Sequence, residues 1–182
     1  MFLMRHGLTQ YNVEKRTMGK IDLPLIESGR EELEFLKDQV SFEIDYIFTS
    51  PMKRAVETAD IINKKTKSKI IICNKLREFD YGIWDGMTIE EISNKFPNDL
   101  DIYLNKPEIY YAKNGDSISN KYEECVMFIN ENKKILQQNK CLIISHAMTL
   151  KLILCYLENC NLKKVWDLQS IKNGEIIERI LS

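Results

Sequence analysis

No apolar run in this chain of 182 residues approaches the roughly 20 residues that cross a bilayer. The opening "MFL" is three residues long before an arginine interrupts it, far short of a secretory apolar region. A membrane partner is not expected, and a soluble, cytoplasmic protein is. Neither sign of charge dominates, because 26 Lys and Arg face 27 Asp and Glu, which leaves no field for gathering nucleic acid. The five cysteines (Cys73, Cys125, Cys141, Cys155, Cys160) are odd in number, contain no C-x-x-C pair and lie mostly in apolar stretches such as "NKCLIIS". Reduced core thiols fit that usage better than a disulfide framework. None is followed six positions later by arginine, so the loop of a thiolate phosphatase is absent. Histidine is scarce as well, with only His6 and His146, and His6 sits between an arginine and a glycine rather than among apolar neighbours.

What is present is a chain of one-domain size, read as a single domain over residues 1–182. Short apolar runs alternate with helix-period segments. "FLM" (2–4), "YIFT" (46–49), "IIIC" (70–73) and "CLIIS" (141–145) read as buried strands. Leu33, Leu36 and Val40 share one face of a helix beginning near Glu27, as do Ala55, Ala59 and Ile62 of a second. For the second, Ser50 is the natural N-cap and Pro51 the first helical residue. Tyr122, Cys125, Val126, Ile129 and Leu136 mark a third. Residues 147–157, apolar nearly all round, predict a buried helix, and "IIERIL" after the turn "KNG" predicts a last strand. Strands alternating with helices predict an α/β fold with a mostly parallel sheet covered on both faces.

In such sheets the active site gathers at the carboxyl ends of the strands. Arg5 and His6 follow the first strand, Ser50 through Arg54 the second, and His146 follows "CLIIS". The loop "KLREFDYGIWDG" adds Glu78, Asp80 and Asp85, among which the chemistry alone does not choose. Guanidinium forks match phosphate oxygens, and a neutral imidazole attacks phosphorus to form a covalent intermediate. With an ordinary pKa near 6.5, one histidine can attack while another, protonated, donates hydrogen bonds. A departing alkoxide needs a proton, which a buried carboxylic acid can supply.

Four motifs in order carry a family resemblance. "LMRHGLTQYN" is similar to R-H-G-x-T-x-x-N, "SPMKRAVETA" to S-P-x-x-R-A-x-x-T-A, "LREFDYGIWDG" to L-x-E-x-x-F-G-x-W-E-G, and "ISHAMTL" to an S-H-G box. Together they resemble the histidine phosphatase superfamily, in its phosphoglycerate-mutase-like branch. The resemblance implies a three-layer α/β/α sandwich and a phosphomonoesterase that hydrolyses small phosphorylated metabolites through a phosphohistidine, with no cofactor and no metal. It implies His6 as nucleophile, Glu78 as proton donor, and Arg5, Asn12, Arg54 and His146 around the phosphoryl oxygens. Length and "IYYAKNGDS" resemble the α-ribazole phosphatase subgroup and broad-specificity small phosphatases alike; Tyr103, Tyr110 and Tyr111 are candidates for an aromatic wall facing a ring-bearing substrate, against core packing as the commoner use of aromatics. The rival readings are a phosphoglycerate mutase, disfavoured because the chain is short for that branch's insertion, and a non-catalytic binding module, disfavoured because every matched position is filled. Three departures stand out: Ala147 replaces the glycine after the second histidine, Ile26 replaces a capping threonine, and Asp116 replaces a glutamate in "NGDS".

Overall fold

In the computed structural model, which describes residues 1–181, the chain runs β1 (Phe2–Arg5), α1 (Gln10–Val13), α2 (Glu27–Gln39), β2 (Tyr46–Thr49), α3 (Lys53–Thr66), β3 (Lys69–Ile72), α4 (Ile89–Lys95), α5 (Pro97–Asn105), α6 (Ile118–Gln138), β4 (Cys141–Ser145), α7 (Ala147–Leu157) and β5 (Ile176–Glu178). The strands form one sheet in the order β3-β2-β4-β1-β5. β4 pairs in parallel with β1 and β2, β2 pairs in parallel with β3, and only β5 runs antiparallel, beside β1. The sheet is mostly parallel, as the alternation of elements predicts.

Successive strand residues point to opposite faces, and that alternation makes the layers. Met4, Ile47, Leu142 and Ile144 pack with Leu33, Ala55, Ala59 and Ile62 of α2 and α3. Their neighbours Leu3, Phe48, Cys141 and Ile143 pack with Cys125, Phe128, Ile129 and Leu150 of α6 and α7. The result is the α/β/α sandwich, with helices on both faces. Each fully buried aliphatic side chain contributes about 1.5–3 kcal/mol, so the two apolar layers fix which helix lies on which face.

The structure corrects three local expectations. β3 begins one residue earlier and lies at the sheet edge, where Ile72 is 61% exposed, so it is not a buried strand. β5 covers only the first part of "IIERIL", after a turn in which Gly174 takes φ +74°. Ser50 is not the N-cap of α3: that helix starts at Lys53 behind Met52, with no side-chain cap, although the Ser50 hydroxyl accepts from the Met52 N–H at 3.3 Å. Ile26 stands at the N-terminus of α2 without a side-chain cap, as expected. α7 occupies residues 147–157 as read from the sequence and is buried along most of its length.

Candidate active site

β1, β2 and β4 end at one edge of the sheet, and the residues that follow them meet there. His6 and His146 lie with ring centroids 5.1 Å apart, both buried. His6 continues the β1–β4 pairing through its N–H on the Ser145 carbonyl, 3.0 Å. The next residue must be small, since a β-carbon on Gly7 would come within 2.7 Å of Leu33 Cδ1, where α2 packs on the loop. That contact explains the glycine of the Arg-His-Gly step.

Hydrogen bonds assign the tautomers. His6 Nδ1 lies 2.7 Å from the Gly7 carbonyl, which can only accept, so Nδ1 carries the proton and Nε2 keeps its lone pair in the neutral ring. Arg54 Nε donates to His146 Nδ1 at 3.1 Å, so that nitrogen is the unprotonated one. His146 Nε2 then donates to Ser50 Oγ, 2.7 Å away. The same hydroxyl accepts from the Met52 N–H at 3.3 Å, just before α3. Burial pushes both imidazoles well below their ordinary value, with Arg54 the next contributor for each. Both rings rest neutral.

Neither arginine shows a carboxylate in hydrogen-bond contact; Arg54 is buried and Arg5 half-buried. Arg54, fully buried, donates to the carbonyls of Ile21 (2.8 Å), Gly19 (3.1 Å) and Met18 (3.4 Å). It thereby draws the 18–21 loop over the site. Arg5 makes one long contact, 3.5 Å from Nη1 to the Ile171 carbonyl, and its Nε is buried with no partner.

The three carboxylates of the 76–86 loop have different hydrogen-bond partners. Asp85 accepts from the N–H groups of Gly19, Lys20 (3.0 Å) and Ile21 (3.3 Å), and Asp80 accepts from Gly82 N–H at 2.8 Å; each holds a turn. Glu78 instead reaches the start of α7. Its oxygens accept from Met148 N–H (3.1 Å), Thr149 N–H (3.1 Å), Thr149 Oγ1 (3.1 Å) and Phe79 N–H (2.9 Å). α7 therefore carries His146 at its N-cap and the anchor for Glu78 one turn later.

Asn12 Oδ1 accepts from Thr9 N–H (3.1 Å), Thr9 Oγ1 (3.0 Å) and Asn173 Nδ2 (3.1 Å). The oxygen is thus committed, and the amide nitrogen is the end left for other partners. Asn173 Nδ2 also donates to the carbonyls of His6 (3.0 Å) and Gly7 (3.3 Å), clasping the loop that carries His6 from the far end of the chain. Sequence reading took Asn173 for part of a turn and missed this, as it missed the Ser50 contact.

The proposed tyrosine wall does not form as expected. Tyr110 is 4% exposed and lies in the core, whereas Tyr111 is 64% exposed; Tyr103 lines a cavity with Arg5, Tyr81 and Trp166. Trp84 is core, as read. Asp116 accepts from Asp80 N–H at 2.9 Å, which ties the "NGDS" segment to the Glu78 loop.

A cationic pocket with paired imidazoles at the strand ends of an α/β/α sandwich has the chemistry that suits an α/β phosphate-ester hydrolase. Residues 1–179 match the model of the histidine phosphatase superfamily (branch 1), and the chain belongs to that family. It is 29% identical over 168 residues to phosphoserine phosphatase 1 of Hydrogenobacter thermophilus, spanning 92% of this chain and 80% of that protein. The solved structure of Bacillus stearothermophilus YhfR superposes with a TM-score of 0.86 at 29% identity, over 97% of this chain and 89% of that one. The α-ribazole phosphatase of Shigella flexneri shares the fold, with a TM-score of 0.83 at 24% identity over 96% and 87% of the two chains.

Proposed function

We propose that the chain hydrolyses small phosphate monoesters by double displacement at His6. The carrying observation is the pair of neutral, buried imidazoles beside the buried Arg54 and the half-buried Arg5, whose Nε is buried without a partner, neither arginine touching a carboxylate. Buried charges are ordinarily paired, and an incoming phosphoryl dianion is the partner this arrangement suits. In the first step His6 Nε2 attacks phosphorus and the ester P–O bond breaks, while the leaving oxygen takes a proton from the Glu78 carboxyl. In the second, water attacks phosphorus, its proton goes to the Glu78 carboxylate and the P–N bond breaks, which restores His6 and releases phosphate. Arg5, Arg54, His146 and the Asn12 amide nitrogen surround the phosphoryl oxygens and stabilise charge as it develops.

A cavity of about 350 Å³ opens beside Glu78, lined among others by Gly19, Lys20, Arg77, Asp80 and Asp116. Its size is within the usual range for a small-molecule cleft, ~300–1,000 Å³, and its charged lining favours a small polar leaving group. Phosphoserine and α-ribazole phosphate, named by the relatives, belong in the substrate panel as the polar and aromatic extremes. The deciding experiment is covalent labelling with a radiolabelled phosphate donor, alongside turnover of an aryl phosphate. His6→Ala is expected to abolish both. Label retained after that change would overturn His6 as the carrier, and a protein without turnover on any ester would be a binding module.

A further inference from the structure

Helix α7 holds one charge within an otherwise apolar face. Lys151 is 8% exposed, and its ammonium donates to the Leu168 carbonyl at 2.6 Å. Burial alone pushes that ammonium down from its ordinary value, with no carboxylate pulling it back. Lys151 lines a cavity of about 120 Å³ together with Arg5, Tyr81, Tyr103, Trp166 and Ser170. The cavity therefore contains two cations, neither with an acidic partner, and one of them is the arginine whose Nε has nothing to donate to.

The walls are held by ring packing. Tyr103 lies 4.7 Å from Trp166 and 6.4 Å from Tyr81 between centroids, and Trp166 Nε1 donates to the Tyr103 carbonyl at 2.9 Å. Ser170 is exposed at the rim, so the cavity is reached from solvent. It also adjoins the reacting centre: Met148 lines it, and the Met148 N–H is one of the donors on Glu78. The volume is well below that of a whole ligand cleft and ample for a group of a few heavy atoms, given that water occupies ~30 Å³ in the liquid. Aromatic walls with two unpaired donors of positive charge suit a compact oxyanion.

We propose that this cavity is an oxyanion subsite, in which Lys151 and Arg5 hold a carboxylate or second phosphate group on the leaving part of the substrate. The proposal rests on the phosphatase reading above. It divides the work of the site, with the shared Arg5 joining the phosphoryl position to a second point of recognition.

The test compares glycerol 3-phosphate with 3-phosphoglycerate, which share a skeleton and differ in a terminal hydroxymethyl against a carboxylate. In the unsubstituted protein kcat/KM is expected to favour the carboxylate. Lys151→Met should lower that preference by about ten-fold or more, the scale of one charge-assisted hydrogen bond, mostly through KM, and Lys151→Arg should restore part of it. Equal losses on both esters would make Lys151 a structural tie to Leu168 and overturn the subsite. If Lys151→Met fails to fold, the unsubstituted protein still decides: no preference for the carboxylate overturns the proposal. Absence of turnover on every ester, aryl phosphate included, overturns the phosphatase reading and the subsite with it.

Discussion

Acidification interrogates the two imidazoles most directly, because they are the only histidines in the chain. Both are buried and both are pushed well below their ordinary value. The unfolded chain therefore binds protons near pH 6.5 that the folded chain refuses. Since the unfolded state binds more, stability is complete above that range and falls as pH drops through it. For each histidine that stays neutral when folded, lowering the pH from about 7.5 to about 5.5 removes about 1.4 kcal/mol, so the pair removes about 2.7 kcal/mol. That is a large part of a typical ~5–15 kcal/mol stability. Asp85 and Asp116, whose carboxyls are raised mainly by burial, act with the opposite sign at the acid end. Urea unfolding at intervals across this window measures the slope, and His6→Gln or His146→Gln should each reduce it by about half. A stability that is flat across the window, or a slope that neither substitution changes, would refute the assignment of two buried neutral rings.

Two further predictions concern the groups around the nucleophile. Glu78→Gln should slow alkyl phosphate turnover by roughly 100-fold or more, within the range of general acid catalysis, and activated aryl esters far less; a uniform loss would move the proton-donor role elsewhere. Asn173→Ala should lower kcat by about ten-fold through the loosened His6 loop, with Asn173→Ser recovering part of it; an unchanged rate of phosphohistidine formation would show that the clasp serves folding alone.

The sheet, the buried α7 and the meeting of His6, Arg54 and His146 were legible in the sequence because each follows from a short-range rule. Apolar runs make strands, alternation with helices makes the sheet parallel, and parallel strands deliver their following loops to one edge. Ser50 shows where such rules stop. A serine before proline at a helix start is a sound local signal for a cap, yet α3 begins only at Lys53, and the hydroxyl that accepts from the Met52 N–H also meets the histidine delivered by β4, 96 residues later in the chain. Tyr110 and Tyr111 failed differently, since adjacent residues in an irregular segment can face opposite ways, one to the core and one to water. Asn173 left no signal beyond turn chemistry, because its three acceptors lie more than 160 residues away in sequence.

The two arginines, alike in the sequence, are built for different work. Arg54 is held by three loop carbonyls and His146 Nδ1, four acceptors for its five N–H groups, so its position is set before any ligand arrives, and it fixes the 18–21 loop at the same time. In the proposed mechanism such preorganisation lets its charge stabilise the transition state without reorganisation during the reaction. Arg5 has no comparable set of acceptors and retains an unsatisfied buried donor, which costs folding energy unless an anion supplies the missing contact. The burden falls on the residue that borders both the phosphoryl position and the Lys151 cavity, which is where substrate binding would recover it. In the proposed mechanism, placing the unsatisfied donor there rather than on Arg54 links recognition of the leaving group to the alignment of phosphorus with His6.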